Sequence, residues 1–265
     1  MFVNKIDVAD PELVDLVVLE TQELLAAQGY KDDPIVRGSA LKALLAIEDG
    51  KVDDPACECI VQLVDALDWF IPDPERDFVS PFLMPIEDVL TIPGRGTVVT
   101  GRVQRGVITI GAEVEIVGLA DGDKPRKVVV TGIQSFHRDR PEARAGDNVG
   151  LLLRGVGRDE VVRGQVVTMP GVVKQFATGE AELYVLGANE GGRHTPFGSG
   201  YTPQFFFGAT DVTGALEVHG GVIHPGDRAR VRFTLIRPIG IEPGMRFALR
   251  EGGRTIGAGL VTGVG

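Results

Sequence analysis

The stretch PFLMPIEDVLTIPGRGTVVTGRVQRG, residues 81–106, switches the chain from helical to strand periodicity. Gly96-Thr97-Val98-Val99-Thr100-Gly101-Arg102-Val103 is β-branched and broken by glycine, the composition of a strand between tight turns. Outward from it the same style recurs at residues 114–117, 127–131, 149–153 and 166–169, then at 180–186, 204–207, 230–236 and 245–249. Ala145-Gly146-Asp147-Asn148-Val149 and Pro225-Gly226-Asp227-Arg228-Ala229 echo each other as turn phrases. Residues 81–171 and 172–265 therefore read as two consecutive β-barrels, each of a size that folds around one core.

Residues 1–80 are a different kind of protein. They carry a net charge of −12 out of the chain's −10, leaving the remainder at +2. Only 3 of the 36 glycines precede position 81. Ile71-Pro72-Asp73-Pro74-Glu75-Arg76 is poor at continuing a helix, so a linker is placed at 73–80 and a first domain at 1–72. The fold class expected is mainly β, with a partial α/β segment in front of the two barrels. The acidic balance argues against a protein that coats nucleic acid non-specifically. Cys57 and Cys59 have no second pair to complete a metal site, and read as buried or idle thiols. With no signal peptide visible and no apolar run near the ~20 residues of a membrane helix, a soluble cytoplasmic protein is expected.

Within 1–72, Phe2-Val3 ends a strand, and Asp10-Pro11-Glu12 starts a helix with a cap, a first-turn proline and an acid. Leu13, Val14, Leu16, Val17, Leu24 and Leu25 give that helix an apolar face up to Gly29. A second strand is expected at residues 34–36 and a further helix over 56–70, with Ile60, Leu63, Val64 and Leu67 at helical spacing. Two parallel strands cannot make a whole sheet, because an edge and an apolar face stay uncovered. After the first strand comes Asn4-Lys5-Ile6-Asp7, an N-K-x-D pattern. A fixed carboxylate at Asp7 could accept from the ring N1–H and the 2-amino group of guanine, donors that adenine lacks there. Four residues alone are equally an ordinary helix approach.

Taken together, these phrases resemble one family. PFLMPIEDVLTIPGRGTVVTGRVQRG and AGDNVGLLLRG are similar to the second domain of the bacterial and organellar elongation factor Tu family. EGGRHTPFGSGYTPQFFF and REGGRTIGAGLVTGV resemble its third domain, and VRGSALKAL follows N-K-x-D as in that family. The resemblance covers the chain in order. It implies a truncated P-loop GTPase domain followed by the two barrels, in a translation elongation factor that delivers aminoacyl-tRNA to the ribosomal A site. The implied partners are aminoacyl-tRNA, the ribosome and elongation factor Ts, with GTP/GDP and Mg2+ as cofactors of the complete family protein and a monomeric state. Asn4, Lys5 and Asp7 match its guanine motif; Ser39, Ala40 and Leu41 match the companion loop, otherwise a plain helix start. Glu87, Asp88, Arg95, Thr97 and Asn148 match positions bordering the pocket for the esterified amino acid, though Glu87 and Asp88 could equally be solvated acids at a strand end. Arg193 and His194 match a region meeting the tRNA T stem, where the alternative is an arginine capping a turn.

Departures from the family limit the expectation. No G-x-x-x-x-G-K-[ST] loop and no D-x-x-G switch with its histidine occur in the chain, and residues 1–80 hold no histidine. Phosphoryl transfer depends on such groups for positioning and charge stabilisation, so no catalytic or metal-ligating residue is assigned and the chain alone is expected not to hydrolyse GTP. The segment Phe205-Phe206-Phe207-Gly208-Ala209 stands where the family usually has a tyrosine, then an arginine and a threonine, and Asp121-Gly122-Asp123-Lys124-Pro125 reads as an expanded hairpin loop. A partial gene or internal start is one account of the missing front end. A non-enzymatic two-barrel paralogue, or a fragment, binding tRNA, ribosome or a protein partner is another.

Overall fold

The computed structural model describes residues 1–30, 33–92, 94, 96–119 and 125–265. The chain divides into two compact units, Met1–Glu75 and Arg76–Gly265. In the first, β1 (Phe2–Val3) and β2 (Val36–Arg37) pair in parallel across α1 (Pro11–Ala27), and α2 (Ala40–Glu48) and α3 (Glu58–Phe70) follow, the latter after a 3₁₀ turn at Pro55–Cys57. The Asp10 carboxylate accepts the Glu12 amide at 2.9 Å and starts α1. The expected helical faces are formed but not covered. Val14 and Val18 are buried on α1, while Leu13, Leu16, Val17 and Leu24 are exposed, as are Val64 and Leu67 on α3. The core of this unit is small: Ala43, Ala46 and Cys57, with Ile60 packed against them. A two-stranded sheet offers no surface wide enough to bury three amphipathic helices.

The second unit holds two β bodies. The first comprises β3 (Leu83–Pro85), β4 (Asp88–Ile92), β5 (Gly96–Arg102), β6 (Val107–Thr109), β7 (Glu113–Val117), β8 (Arg126–Ser135), β9 (Arg138–Asp139), β10 (Glu142–Arg144), β11 (Asn148–Arg154) and β12 (Val166–Thr168). Its main sheet runs β3-β12-β7-β8-β11-β5-β4, with β9 on β8, curled around Phe82, Met84, Ile86, Val99, Leu151 and their neighbours. This body is a curled half-barrel, with β3 and β4 as the two ends of the sheet path.

The second body comprises β13 (Gln175–Val185), β14 (Phe197–Gly198), β15 (Gln204–Phe207), β16 (Thr210–Val218), β17 (Val222–Ile223), β18 (Arg228–Gly240), β19 (Arg246–Glu251) and β20 (Arg254–Val264). It closes fully as β13-β18-β16-β15-β19-β20. Strand alternation turns Phe205 and Phe207 inward, where with Phe233 and Phe247 they form an aromatic core with centroids 5.1–6.1 Å apart. Phe206 points outward, beneath the Arg250 guanidinium at 5.0 Å.

A seam joins the two bodies. Gly118 has φ +93, and a Cβ there would lie 3.0 Å from the Gly240 nitrogen, so only glycine suits the position. The Leu119 amide donates to the Pro238 carbonyl at 2.9 Å, and the Gln165 side-chain amide donates to the Gly118 carbonyl at 2.7 Å. The Thr210 hydroxyl donates to the Gly164 carbonyl. Arg105 grips Glu242 bidentately at 2.7 and 3.0 Å, with both side chains about a quarter exposed (27% and 26%). Removing Arg105 leaves that carboxylate half buried without its fork. Arg105→Ala is expected to destabilise the Arg76–Gly265 unit by about 1–3 kcal/mol, seen as a lower urea midpoint at unchanged m value.

Candidate functional site

Three places in the structure hold the residues singled out by sequence. In Met1–Glu75, the Asn4 side-chain oxygen accepts the Ala40 amide at 3.0 Å, tying the N-K-x-D loop to the start of α2. Lys5 lies in the left-handed region (φ 64), which tightens the loop so that the Ile6 amide reaches the Gly38 carbonyl at 3.4 Å. Ser39 caps α2 by accepting the Lys42 amide at 3.3 Å. Its hydroxyl also hydrogen-bonds the Asp7 carboxylate, which holds that group below the usual carboxylate range, with Lys42 adding a smaller pull. Asp7 is thus ionised at neutral pH, the form that accepts two bonds. A concavity of about 390 Å³ opens beside it, lined among others by Ile6, Asp7, Gly38, Ser39, Lys42 and Cys59. Ala40 has its amide occupied by Asn4, and Leu41 is exposed on α2. Cys57 is buried, its thiol 3.7 Å from the Ala43 carbonyl; Cys59 is not idle space but part of the concavity wall. A Cβ on Gly38 would lie 2.5 Å from Cys59, so the glycine lets α3 approach the loop.

On the half-barrel, register decides which residues meet. Asp88 pairs with Thr100, Thr100 with Gly150, Gly150 with Gln134, and Gln134 with Asp139. Residues opposite one another in antiparallel strands share a face, so these five form one row across the outer surface. The next row on that face is Leu90, Val98, Leu152 and Gly132, and Asn148 pairs with Arg102 on the other side. Where Gly132 and Gly150 lack side chains, a shallow cleft of about 40 Å³ is left between Ile92, Val98, Leu152, Gln134 and Asp139. Glu87 is exposed just before β4, and its amide donates to the Thr100 carbonyl at 2.8 Å.

Glu87, Asp88 and Asn148 are therefore brought to one region, and Thr97 is not. It faces inward, is 3% exposed, and donates its hydroxyl to the Val156 carbonyl at 3.0 Å. Three residues along a strand is about 10 Å and a change of face, so Thr100 is the threonine at the acidic pair. Arg95 lies outside the described residues, as do positions 121–124 of the expanded loop. Thr100, Val98, Leu152, Gln134 and the two glycines were missed by sequence reasoning. The signal was Gly132 and Gly150 inside strand patterns, which mark a close approach to backbone.

On the closed barrel, four of the five Arg193 N–H groups are engaged. Arg193 donates to the Tyr201 hydroxyl at 2.7 Å, to Glu251 at 2.5 Å, and to the Thr195 carbonyl and hydroxyl at 3.2 and 3.1 Å. Its guanidinium also lies over the Tyr201 ring at 4.7 Å, leaving the side chain 15% exposed. It fixes the loop between β13 and β14, and His194 beside it is exposed.

Residues 96–168 match the family model for elongation factor Tu domain 2. Residues 172–265 match that for the elongation factor Tu C-terminal domain. The chain belongs to the elongation factor Tu family. It is of the translation elongation factor type, and the half-barrel and the closed barrel are this family's two β domains. Among the described residues no cluster of three or more His, Cys, Asp or Glu could hold a metal, and no helix is long and apolar enough to cross a membrane.

The knot around Arg193 sets a pH response in this elongation factor Tu C-terminal domain. Burial pushes the Tyr201 phenol from 10.0 up to about 12, against the pull of Arg193. A raised folded pKa favours the protonated form, so its stabilisation is complete below pH 10.0 and is lost as pH rises through about 12. Tyr184, raised by its bond to Glu190, adds to the same slope. Urea midpoints are expected to stay level up to about pH 10 and then fall, and Tyr201→Phe flattens that fall; an identical pH profile for the variant contradicts the assignment.

Proposed function

We propose that this chain takes part in GTP-dependent delivery of aminoacyl-tRNA to the ribosomal A site, with the half-barrel receiving the aminoacylated 3′ end. The observation that carries this reading is the row of Asp88, Thr100 and Gly150 beside Glu87, opening on a glycine-floored cleft. A carrier of every aminoacyl-tRNA can grip only what all share: the α-amino group, the ester and the terminal adenosine. Two exposed carboxylates suit a protonated α-amino group. The Thr100 hydroxyl and Asn148 suit the ester, and the cleft between Val98, Leu152 and Gln134 admits the edge of a flat base. His194, exposed, is left to meet the tRNA T stem, whereas Arg193 acts by holding the loop that presents it. The ribosome and elongation factor Ts are the further partners, and the setting is cytoplasmic with a monomeric chain.

For GTP/GDP with Mg2+ the fit is partial. The concavity beside Asp7 suits guanine, with its ionised carboxylate supported by Ser39. The chain has no phosphate-loop sequence to hold the phosphates or the metal. Asn4, Lys5, Asp7 and the Ser39-Ala40-Leu41 loop thus supply base recognition, not hydrolysis. Two charge-assisted bonds contribute roughly 3–6 kcal/mol before ordering costs, and millimolar affinity already needs about 4 kcal/mol, so once those costs are subtracted the affinity is millimolar at best. Calorimetry on this 265-residue chain is expected to show no GDP binding tighter than millimolar; micromolar binding overturns the reading.

Protection of the aminoacyl ester from hydrolysis tests the half-barrel. Glu87→Gln and Asp88→Asn are each expected to weaken binding of aminoacyl-tRNA by roughly tenfold or more, the loss of one charge-assisted bond, while leaving uncharged tRNA unchanged. A wild-type chain that binds both tRNAs equally sinks the assignment of the carboxylates. One that binds neither sinks RNA delivery by these domains and favours a binding module for a protein partner.

A further inference from the structure

A trough of about 700 Å³, the size of a cofactor site, lies on the outer face of the closed barrel across β18, β13, β20 and β19. Register lays out its walls. One row across the strands reads Arg228, Tyr184 and Ala258; the next reads Arg230, Glu182, Leu260 and Arg246. Residues opposite one another share a face, so two arginines stand on one side and a third on the other. Adjacent strands are about 4.8 Å apart, which separates Arg230 from Arg246 by roughly 14 Å along the sheet. Between them the floor is apolar and low at Ala258 and Leu260, with one carboxylate at Glu182.

The three guanidiniums are underused. Among the described residues neither Arg228 nor Arg246 donates to a protein oxygen. Arg230 has a single Nε at 3.9 Å from Glu182, with the two side chains 83% and 61% exposed. An exposed pair at that distance holds neither partner firmly. Arg232, next on the same face of β18, shows the contrast, since it stands in register between Glu180 and Glu217 on the two neighbouring strands. Arg228 has an aromatic neighbour instead. Its guanidinium lies 5.8 Å from the centre of the Tyr184 ring, whose hydroxyl donates to Glu190 at 2.7 Å. The ring steadies the cation without neutralising it.

Three guanidiniums against one carboxylate leave the trough with two excess positive charges. A planar guanidinium fork suits phosphate oxygens. The floor of Ala258 and Leu260 suits something a bare anion lacks, a flat and weakly polar part. It is also only two side chains wide, short of the apolar centre around which protein interfaces are built. We infer that the trough is a site for a nucleoside polyphosphate, with base and sugar over Ala258 and Leu260 and phosphates among Arg228, Arg230 and Arg246. Glu182 opposes that ligand and keeps its affinity down. The site draws on none of the residues assigned to guanine or to aminoacyl-tRNA.

Calorimetry on the full chain at low ionic strength tests this, with ATP as the probe because adenine lacks the donors that Asp7 reads. ATP is expected to bind, less tightly as salt rises, while inorganic triphosphate and AMP each bind more weakly than ATP. Arg228→Ala, Arg230→Ala and Arg246→Ala each lower the affinity by about fivefold, the upper end for one solvent-exposed ion pair. Glu182→Gln raises it. Arg232→Ala, on the same strand but outside the trough, leaves it unchanged. Urea midpoints of these variants stay at the wild-type value, and photolabelling with an azido-ATP marks the peptide bearing Ala258 and Leu260. Absence of ATP binding, or wild-type affinity in both Arg228→Ala and Arg246→Ala, overturns the inference. An equal loss in Arg232→Ala overturns it in favour of diffuse charge, and triphosphate binding as tightly as ATP in favour of a bare polyphosphate. A polyglutamate peptide that displaces ATP and binds more tightly overturns it in favour of an acidic protein partner.

Discussion

Gly118 and Gly240 meet backbone against backbone, and the closeness of that approach sets the geometry of the whole β unit. At that approach the Leu119 amide reaches the Pro238 carbonyl and the Thr210 hydroxyl reaches the Gly164 carbonyl across the seam, while the Gln165 side chain holds the Gly118 carbonyl from within the half-barrel. The Arg105–Glu242 fork adds a directional lock, since a planar guanidinium accepts a carboxylate in few orientations. The cleft on the half-barrel and the arginine knot on the closed barrel are held in one frame because the seam is made of backbone and a bidentate pair. A seam of long side chains would permit sliding.

The architecture was legible where the pattern is local. Alternation and glycine turns locate nine of the eighteen strands described in the two β bodies, missing the long β16 and β20, and Asp10-Pro11 marks the start of α1 as observed. Burial was less legible, because it depends on what a face meets. The apolar spacing of Leu13, Leu16 and Val17 is that of a buried helix, yet these residues are exposed on a sheet too narrow to receive them. Register was the other limit. Thr97 and Thr100 are equally plausible in a linear reading, and only the pairing of Thr100 with Asp88 shows which one shares a face with the carboxylates. Closure of a barrel is likewise a non-local property: the half-barrel and the closed barrel have the same strand style in sequence and differ in whether their end strands meet.

Charge is handled differently in the three places. Asp7 is kept ionised by a hydroxyl that itself caps a helix, so a structural contact prepares an acceptor. Glu87 and Asp88 stay exposed, one Asp88 oxygen accepting the Val89 amide at 2.8 Å. Arg193 is the opposite case, four of its five donors taken by Tyr201, Glu251 and Thr195. The same chemistry that would suit an anionic partner serves here to stiffen a loop.

The last strand of the closed barrel, β20, pairs with its first, β13, as well as with β19. Closure therefore waits for the final residues to be made. During synthesis, when a chain emerges at roughly 5–20 residues per second, the half-barrel has all its strands while β13 still lacks β20 as a neighbour. For that interval the aromatic core of Phe205, Phe207, Phe233 and Phe247 has an open side, and β13 presents an unpaired edge of the kind that recruits other strands. The nascent chain thus passes through a window of vulnerability whose length is set by topology, and the ribosome's pace over the last segment becomes part of how this domain folds.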